Sequence, residues 1–400
     1  MGKFRIDSRQ VKEGDVFIAI RSGVNYVWSA LEQGADYCVV PEGAGFENGD
    51  KILVVDDTVN FLGEKAKEAR LAFSGGVVGI TGSAGKTTLK EMLGFALSSL
   101  GYKVGKSWGN YNNAIGLPAS ILSFDGDEDF WILELATNQV GDIAYLSDIA
   151  RPDFAFVTSI YPSHLEGLGT VEGVAREKSE IAKYAKIVFA PIRFFFELSP
   201  YLPNGKTRFL TGIKGVNFPL KGIQFEDLLA LVSAFLETLG HSIEEVDWSG
   251  FEGMKGRFSI LKFEERIVVN DAYNANPGSM KASLSSFKEM FGDGRDVAIV
   301  IGDMLELGQE REKYHKDVVA FVKYLFPEAR KVCIGKEMLW AAKSEGLEDA
   351  LLIEDWPANI EEIKDYLSNT NTLFFKASNG IRLGDLIEQL FGRSTEISDV

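Results

Sequence analysis

Residues 77–93 read VVGITGSAGKTTLKEML, an apolar β-branched run that passes through a Gly-Ser-Ala-Gly turn into a Lys-Thr-Thr opening a helix. A strand over Val77–Thr81 delivers a turn, Gly82-Ser83-Ala84-Gly85, whose glycines let successive backbone N–H groups converge on a phosphate at the next helix N-terminus. Lys86 then supplies a point charge, Thr87 a hydroxyl for Mg²⁺, and Thr88 continues the helix. The strict pattern G-x-x-x-x-G-K-[ST] requires glycine at position 80, where this chain has Ile80. The alternative is an ordinary glycine turn between strand and helix. Strand, glycine turn, Lys-Thr and helix nevertheless follow in the order that a nucleotide-binding loop needs.

Around this loop the chain is too long for one comfortable core. Its 400 residues, 46% hydrophobic and 25% charged, imply two or three domains. A net charge of −16 argues against a nucleic-acid partner or an anionic membrane surface, since either needs a basic face. An anionic nucleotide must then be met by locally placed cations and helix N-termini. The opening MGKFRIDSRQ has no apolar signal region, and no later run approaches the roughly 18 apolar residues of a membrane span. Cys38 and Cys333 are the only cysteines, which indicates neither a disulfide framework nor a Cys-based zinc site. A cytoplasmic protein, acting as a monomer, is the simplest expectation.

Two interruptions divide the chain. Ser74-Gly75-Gly76 follows a helix predicted over Thr58–Phe73, and SGFEGMKGR sets Gly250, Gly253 and Gly256 close together as a plausible hinge. The predicted fold is therefore α/β with three domains. Residues 1–74 form a small α/β unit with strands at Val16–Ile20, Tyr37–Val40 and Ile52–Val55. Residues 75–249 form a central P-loop domain with a mainly parallel sheet, its strands at Val77–Thr81, Phe130–Leu133 and Phe154–Thr158. Residues 250–400 form a Rossmann-like domain with strands at Ile267–Val269, Val297–Ile301, Lys331–Ile334, Leu351–Ile353 and Thr372–Lys376.

Parallel sheets bind ligands beyond the carboxyl ends of their strands, so polar residues there are candidates. Glu134 follows FWIL where a metal-binding carboxylate would lie, or is a strand-end acid facing water. His164, in YPSHLEGLG, follows FAFVTSI and is one of three histidines, structural or catalytic. Lys178 falls in the middle of the helical apolar stripe marked by Val171, Val174, Ala175, Ile181, Ala182 and Ala185, so it points inward. It either snorkels to solvent or has an unusual partner or modification. The strand Ile267–Val269 ends in Asn270-Asp271-Ala272-Tyr273-Asn274, and Asn276-Pro277 reads as N-cap and first residue of a helix. Capping explains Asn276 but leaves Asp271, Tyr273 and Asn274 as an unexplained polar cluster.

The ordered motifs GITGSAGKTTLKEM, GNYNNAIGLP, ELATNQVGDIAYLSDIARPDFAFVTSI, SHLEGLGTVEGVAREKSEI, NDAYNANPGSMKASL and VIGDMLELGQ together resemble the Mur ligase family. The resemblance covers residues 77–310 densely, and a loop lacking the first glycine is characteristic of that family. It implies that ATP and Mg²⁺ are used, that a peptide carboxylate becomes an acyl phosphate, and that an amine then attacks it. The implied substrates are UDP-N-acetylmuramoyl-tripeptide and D-alanyl-D-alanine. A folylpolyglutamate synthetase has a related fold and the same chemistry, but fits GNYNNAIGLP and DAYNANPGSM less well.

By the same resemblance, residues 82–88 hold nucleotide phosphates with Lys86 on the β- and γ-groups. Thr87 and Glu134 bind one Mg²⁺, while His164 and Lys178 serve a second metal, Lys178 as an N-carboxylated side chain. Arg257, Asp271, Asn274 and Asn276 would close on the nucleotide from the third domain. Asn112, Asn113 and Asn138 stand on the substrate side, and Ser8 and Arg9, within DSRQVKEGDVFIAI, at the entry to a UDP site. FKASNGIRL keeps the family's Lys376 and Ser378 but has Asn379 where an arginine is usual, and GIQFEDLLALVSAF offers no evident adenine contact.

Overall fold

Apolar runs separated by helix-length connections can pair only in parallel, and most of this chain does so. The computed structural model describes residues 2–392 and the backbone of 395–396. The first sheet holds β1 (Phe4–Arg5), β2 (Val16–Ile18), β3 (Tyr37–Pro41) and β4 (Ile52–Val55) side by side in chain order, all parallel. The Asp57 carboxylate accepts from the N–H groups of Val59 and Asn60 and starts the helix Thr58–Ala72. That helix leaves the first sheet and joins the central domain through ion pairs Lys67–Asp148 and Arg70–Asp153, at 2.5 and 2.9 Å.

The central sheet contains β5 (Gly76–Thr81), β6 (Val104–Lys106), β7 (Phe130–Glu134), β8 (Phe154–Val157), β9 (Ile187–Pro191) and β10 (Thr207–Leu210). Their spatial order is β10-β9-β8-β5-β7-β6, every pair parallel. The chain thus builds to one side of β5 with β6 and β7, then to the other with β8, β9 and β10. This makes the exits of β5 and β8 the switch point where a ligand crevice opens.

In the third sheet, β11 (Ser259–Phe263), β12 (Arg266–Asn270), β13 (Val297–Gly302), β14 (Arg330–Ile334), β15 (Leu351–Ile353), β16 (Thr372–Lys376) and β17 (Thr395–Glu396) lie in the order β15-β14-β13-β16-β12-β11-β17. The four pairs from β15 to β12 are parallel. β11 pairs antiparallel with both β12 and β17, so this sheet is mixed where the sequence suggested a parallel one.

An apolar cluster runs from the central sheet through Phe225 and Phe258 to Phe374 of the third, with successive ring centroids 5.6 and 6.3 Å apart. Trp248 and Phe251 are buried around Phe95, with ring centroids at 5.5 and 5.6 Å, so Gly250 sits in an aromatic anchor. Among the expected hinge glycines, Gly253 faces open space. Cys38 and Cys333 are both buried and free. Among the described residues no helix is long and apolar enough to cross a membrane.

Candidate active site

The exits of β5, β7 and β8 face the third domain across a cleft of ≈ 300 Å³. At its floor, Gly82 is required by close approach, because a Cβ there would lie 1.9 Å from Thr158 Oγ1. The N–H groups of Ser83 and Ala84 donate to the carbonyl and the hydroxyl of Ser159, each at 2.9 Å. The turn is thereby tied to the end of β8. The N–H groups of Gly85, Lys86, Thr87 and Thr88, at the start of the helix Lys86–Ser99, have no partner among the described residues. Orphan donors of this kind at a helix N-terminus favour an anion.

Lys86 Nζ donates to the Gly82 carbonyl at 2.8 Å and faces the cleft. Desolvation pushes its ammonium down to about 8, against the pull of Glu134 and with a smaller push from Arg257. Thr87 is buried behind the lining, and its hydroxyl donates to Glu134 Oε2 at 3.0 Å. The other oxygen, Oε1, lies 3.0 Å from the buried Lys90 ammonium but off the hydrogen-bonding direction, and has no hydrogen bond. Lys90 also donates to the carbonyls of Ser107 and Gly109, at 2.8 and 3.2 Å. Sequence reasoning missed Lys90, although it falls on the apolar stripe three residues before Leu93 and seven before Leu97.

After β8, His164 adopts a left-handed backbone at φ 52° and lines the cleft. Its Nδ1 lies 2.5 Å from Glu306 Oε2 of the third domain. Burial holds the imidazole below its usual pKa, with Glu306 opposing and Lys178 and Lys86 adding to the depression. The helix Val171–Ser179 begins at Thr170, whose hydroxyl accepts from Gly173 N–H, and carries Lys178 inward to 1% exposure. The Lys178 side chain is buried, and it makes no hydrogen bond or ion pair among the described residues. Burial depresses its ammonium far below the ordinary lysine range, Lys86 adds to this, and Glu177 opposes. The Glu177 carboxylate is itself occupied, accepting from the N–H groups of Gly141 and Ile143 at 2.9 and 2.7 Å. Lys178 therefore stands just behind the lining, close enough to influence both Lys86 and His164.

The third domain supplies the opposite wall. Arg257 stacks on the Tyr273 ring at 3.8 Å, and Phe258 takes a left-handed φ of 58°. Asp271 lines the cleft, but its carboxylate is occupied by three protein donors: Phe258 N–H at 3.0 Å, Ser283 Oγ at 2.6 Å and Lys376 Nζ at 2.7 Å. Asn276 caps the helix Pro277–Phe291, its Oδ1 accepting from Ser279 N–H at 2.8 Å, while its Nδ2 donates to the Ser83 carbonyl at 3.3 Å. Capping is thus half of its role. Two residues on, a Cβ at Gly278 would lie 2.1 Å from the Tyr161 ring, so this helix rests directly on the segment after β8. Asn274 is exposed and bonds its own turn at Ala275 N–H, 2.8 Å away. Gln224, which the sequence left unassigned, lines the cleft with a buried Oε1 that has no hydrogen-bond partner among the described residues.

Of the residues expected on the substrate side, Asn112 and Asn138 line the cleft. Asn113 does not, and its Oδ1 accepts from Ile115 and Gly116 N–H, at 3.1 and 2.9 Å, at the start of the helix Gly116–Ile121. Ser8 and Arg9 lie in the first domain outside this cleft, where Arg9 pairs with Asp7 at 2.7 Å. Ser378 holds the third domain together, its hydroxyl accepting from Leu305 N–H at 2.9 Å.

Residues 80–191 match the profile of the Mur ligase middle domain and residues 256–379 that of the Mur ligase glutamate ligase domain. The chain is 31% identical to a UDP-N-acetylmuramoyl-tripeptide–D-alanyl-D-alanine ligase of Bacillus subtilis, over 96% of this chain and 92% of that one. A MurF ligase of Thermotoga maritima solved in complex with ADP superposes with a TM-score of 0.84 at 27% identity, covering 98% of this chain and 97% of its own. A MurF of Acinetobacter baumannii superposes equally well, TM-score 0.84 at 26% identity, over 98% and 93% of the two chains.

Proposed function

The chain belongs to the Mur ligase family, and on that premise we propose how its cleft joins D-alanyl-D-alanine to UDP-N-acetylmuramoyl-tripeptide. The enzyme is an ATP-dependent amide ligase of peptidoglycan synthesis. A carboxylate is a poor electrophile, so the tripeptide carboxylate first attacks the γ-phosphorus of ATP, which releases ADP and leaves an acyl phosphate. The amine of D-alanyl-D-alanine then attacks the carbonyl carbon, the bond to the phosphate oxygen breaks, and the amine loses a proton. Such transfer rests on positioning and charge neutralisation.

The observation that carries the assignment of roles is the meeting, in one cleft, of the start of the helix Lys86–Ser99, where the N–H groups of residues 85–88 have no partner among the described residues, and a third-domain wall already bonded to the turn through Asn276. In this reading Lys86 and those donors hold the β- and γ-phosphates, and Gln224 presents its unpartnered amide oxygen to the adenine amino group. Arg257 approaches the phosphates from the third domain, with Asp271 holding the Arg257–Phe258 turn. Thr87 and Glu134 suit Mg²⁺, since a hard cation takes oxygen ligands and Glu134 Oε1, although 3.0 Å from the Lys90 ammonium, accepts no hydrogen bond among the described residues. Mg²⁺ there would offset negative charge on the phosphates. His164 and Lys178 suit a second cation only if Lys178 is anionic. A neutral amine adding CO₂ and releasing a proton gives the required carbamate, and burial already favours the neutral amine.

Asn112 and Asn138 orient the peptide, and the first domain, residues 1–74 with Ser8 and Arg9, takes the UDP end. Residues 75–249 bind ATP, and residues 250–400 close over both. The protein acts as a monomer in the cytoplasm, where ATP and a UDP-sugar are both at hand. The test is ADP release with ATP, Mg²⁺ and the UDP-tripeptide. D-alanyl-D-alanine is expected to raise the rate at least about tenfold, into the ordinary enzymic range of about 1–10³ s⁻¹. Stimulation by folate plus glutamate instead would overturn the reading.

A further inference from the structure

Two non-glycine residues with left-handed backbones meet across the domain boundary: His164 at φ 52° and Glu306 at φ 61°. Such conformations cost free energy and persist where the surroundings over-determine them, most often at functional sites. Glu306 lies in the loop after β13, and both its polar ends face the same short segment. Its carbonyl accepts from Leu165 N–H at 3.0 Å, and its carboxylate lies 2.5 Å from His164 Nδ1. The loop is a rigid mount. Met304 N–H donates to Nε2 of the fully buried His315 at 2.9 Å, Leu305 N–H donates to Ser378 Oγ, also at 2.9 Å, and Leu307 is buried.

We propose that Glu306 is a positioning residue for His164, fixing the imidazole as its Nδ1–H tautomer so that the Nε2 lone pair is left free at the cleft, and only when the third domain is docked. The proposal rests on the reading that His164 serves the reaction in that cleft. A carboxylate on the far nitrogen is the usual means of setting the tautomer and ring orientation of a working histidine. Here that carboxylate belongs to another domain, so docking and competence of His164 become one event. The pair itself contributes little to stability, because Glu306 is largely exposed and exposed pairs are weak. Its removal therefore leaves the fold intact.

With three histidines in the chain, the ¹⁵N imidazole signals of the labelled enzyme can be assigned with His164→Ala as reference. In the presence of UDP-tripeptide and a non-hydrolysable ATP analogue, the wild type is expected to show His164 as the Nδ1–H form. Glu306→Ala should move it toward the Nε2–H form of free histidine and lower kcat about 10- to 100-fold, leaving the KM for ATP within about threefold. Glu306→Gln keeps an acceptor oxygen and should recover most of both signals. The double variant Glu306→Ala/His164→Ala should be no slower than His164→Ala. An unchanged tautomer with wild-type kcat in Glu306→Ala overturns the proposal. A wild-type rate in His164→Ala would instead remove His164 from the reaction, and the tautomer measurement then decides on Glu306 alone.

Discussion

Lys86→Ala is expected to abolish ATP turnover in a protein that still folds. Removing one preorganised electrostatic donor typically costs on the order of 10² to 10³ in kcat. Lys86 makes a single hydrogen bond, to the Gly82 carbonyl, and faces an open cleft, so its loss leaves no cavity in the core. The thermal midpoint should stay within roughly 2–4 °C of wild type, the equivalent of about 1 kcal/mol in a mid-sized domain. The depressed pKa of about 8 adds a second signature. Bound phosphates favour the charged amine, so above pH 8 the nucleotide complex holds a proton that the free enzyme lacks. ATP affinity therefore falls as pH rises from 8 toward the ordinary lysine value, and is unaffected by this group below it. Calorimetry in buffers of different ionisation enthalpy should register uptake of about one proton at pH 9 and little at pH 7, with the uptake absent in Lys86→Ala. Turnover within a few-fold of wild type in the folded variant would refute the assignment of the loop.

The second large effect concerns Lys178. An ammonium on a side chain buried to 1% exposure, with no partner among the described residues, is costly, and its pKa is displaced in the direction that makes it a neutral amine. A free amine adds CO₂ readily, which an ordinary exposed lysine does only in alkali. Lys178→Ala should lose activity by about 10²-fold or more, on the scale set by loss of one electrostatic group. Small added carboxylates should partly rescue it by occupying the vacated anion position. Lys178→Arg should not rescue, because a guanidinium keeps its positive charge and forms no carbamate under these conditions. Crystals grown at neutral or alkaline pH should show carbamate-sized density on Nζ. Full activity in Lys178→Arg would mean that a simple cation suffices.

Both residues were legible in the sequence, one from a glycine turn and the other from helical spacing, because each depends on its own element. Asn276 was legible as a cap for the same reason. The readable features fade where partners arrive from elsewhere in the chain. Glu306 meets His164, and Asn276 meets Ser83, only because the third domain is docked, and no local pattern reports that. Gln224 looks like one more polar residue in the apolar helix Ile223–Thr238 until its unpartnered oxygen is found at the cleft. The β11–β12 hairpin was missed because its turn is Glu264-Glu265, without the Asn-Gly or Asp-Gly that marks such turns. The three-residue β6 is too short to show a period, and β10, half-exposed along much of its length at the sheet edge, carries no apolar run.

Oxygen isotopes test most directly whether the γ-phosphoryl group activates the tripeptide carboxylate. UDP-tripeptide labelled with ¹⁸O in its terminal carboxylate is turned over with ATP and D-alanyl-D-alanine, and the released phosphate is analysed by mass. One carboxylate oxygen bridges to phosphorus in an acyl phosphate and leaves with it, so one ¹⁸O per turnover is expected in inorganic phosphate, with ADP unlabelled. Phosphate without label, or label in AMP, would contradict it.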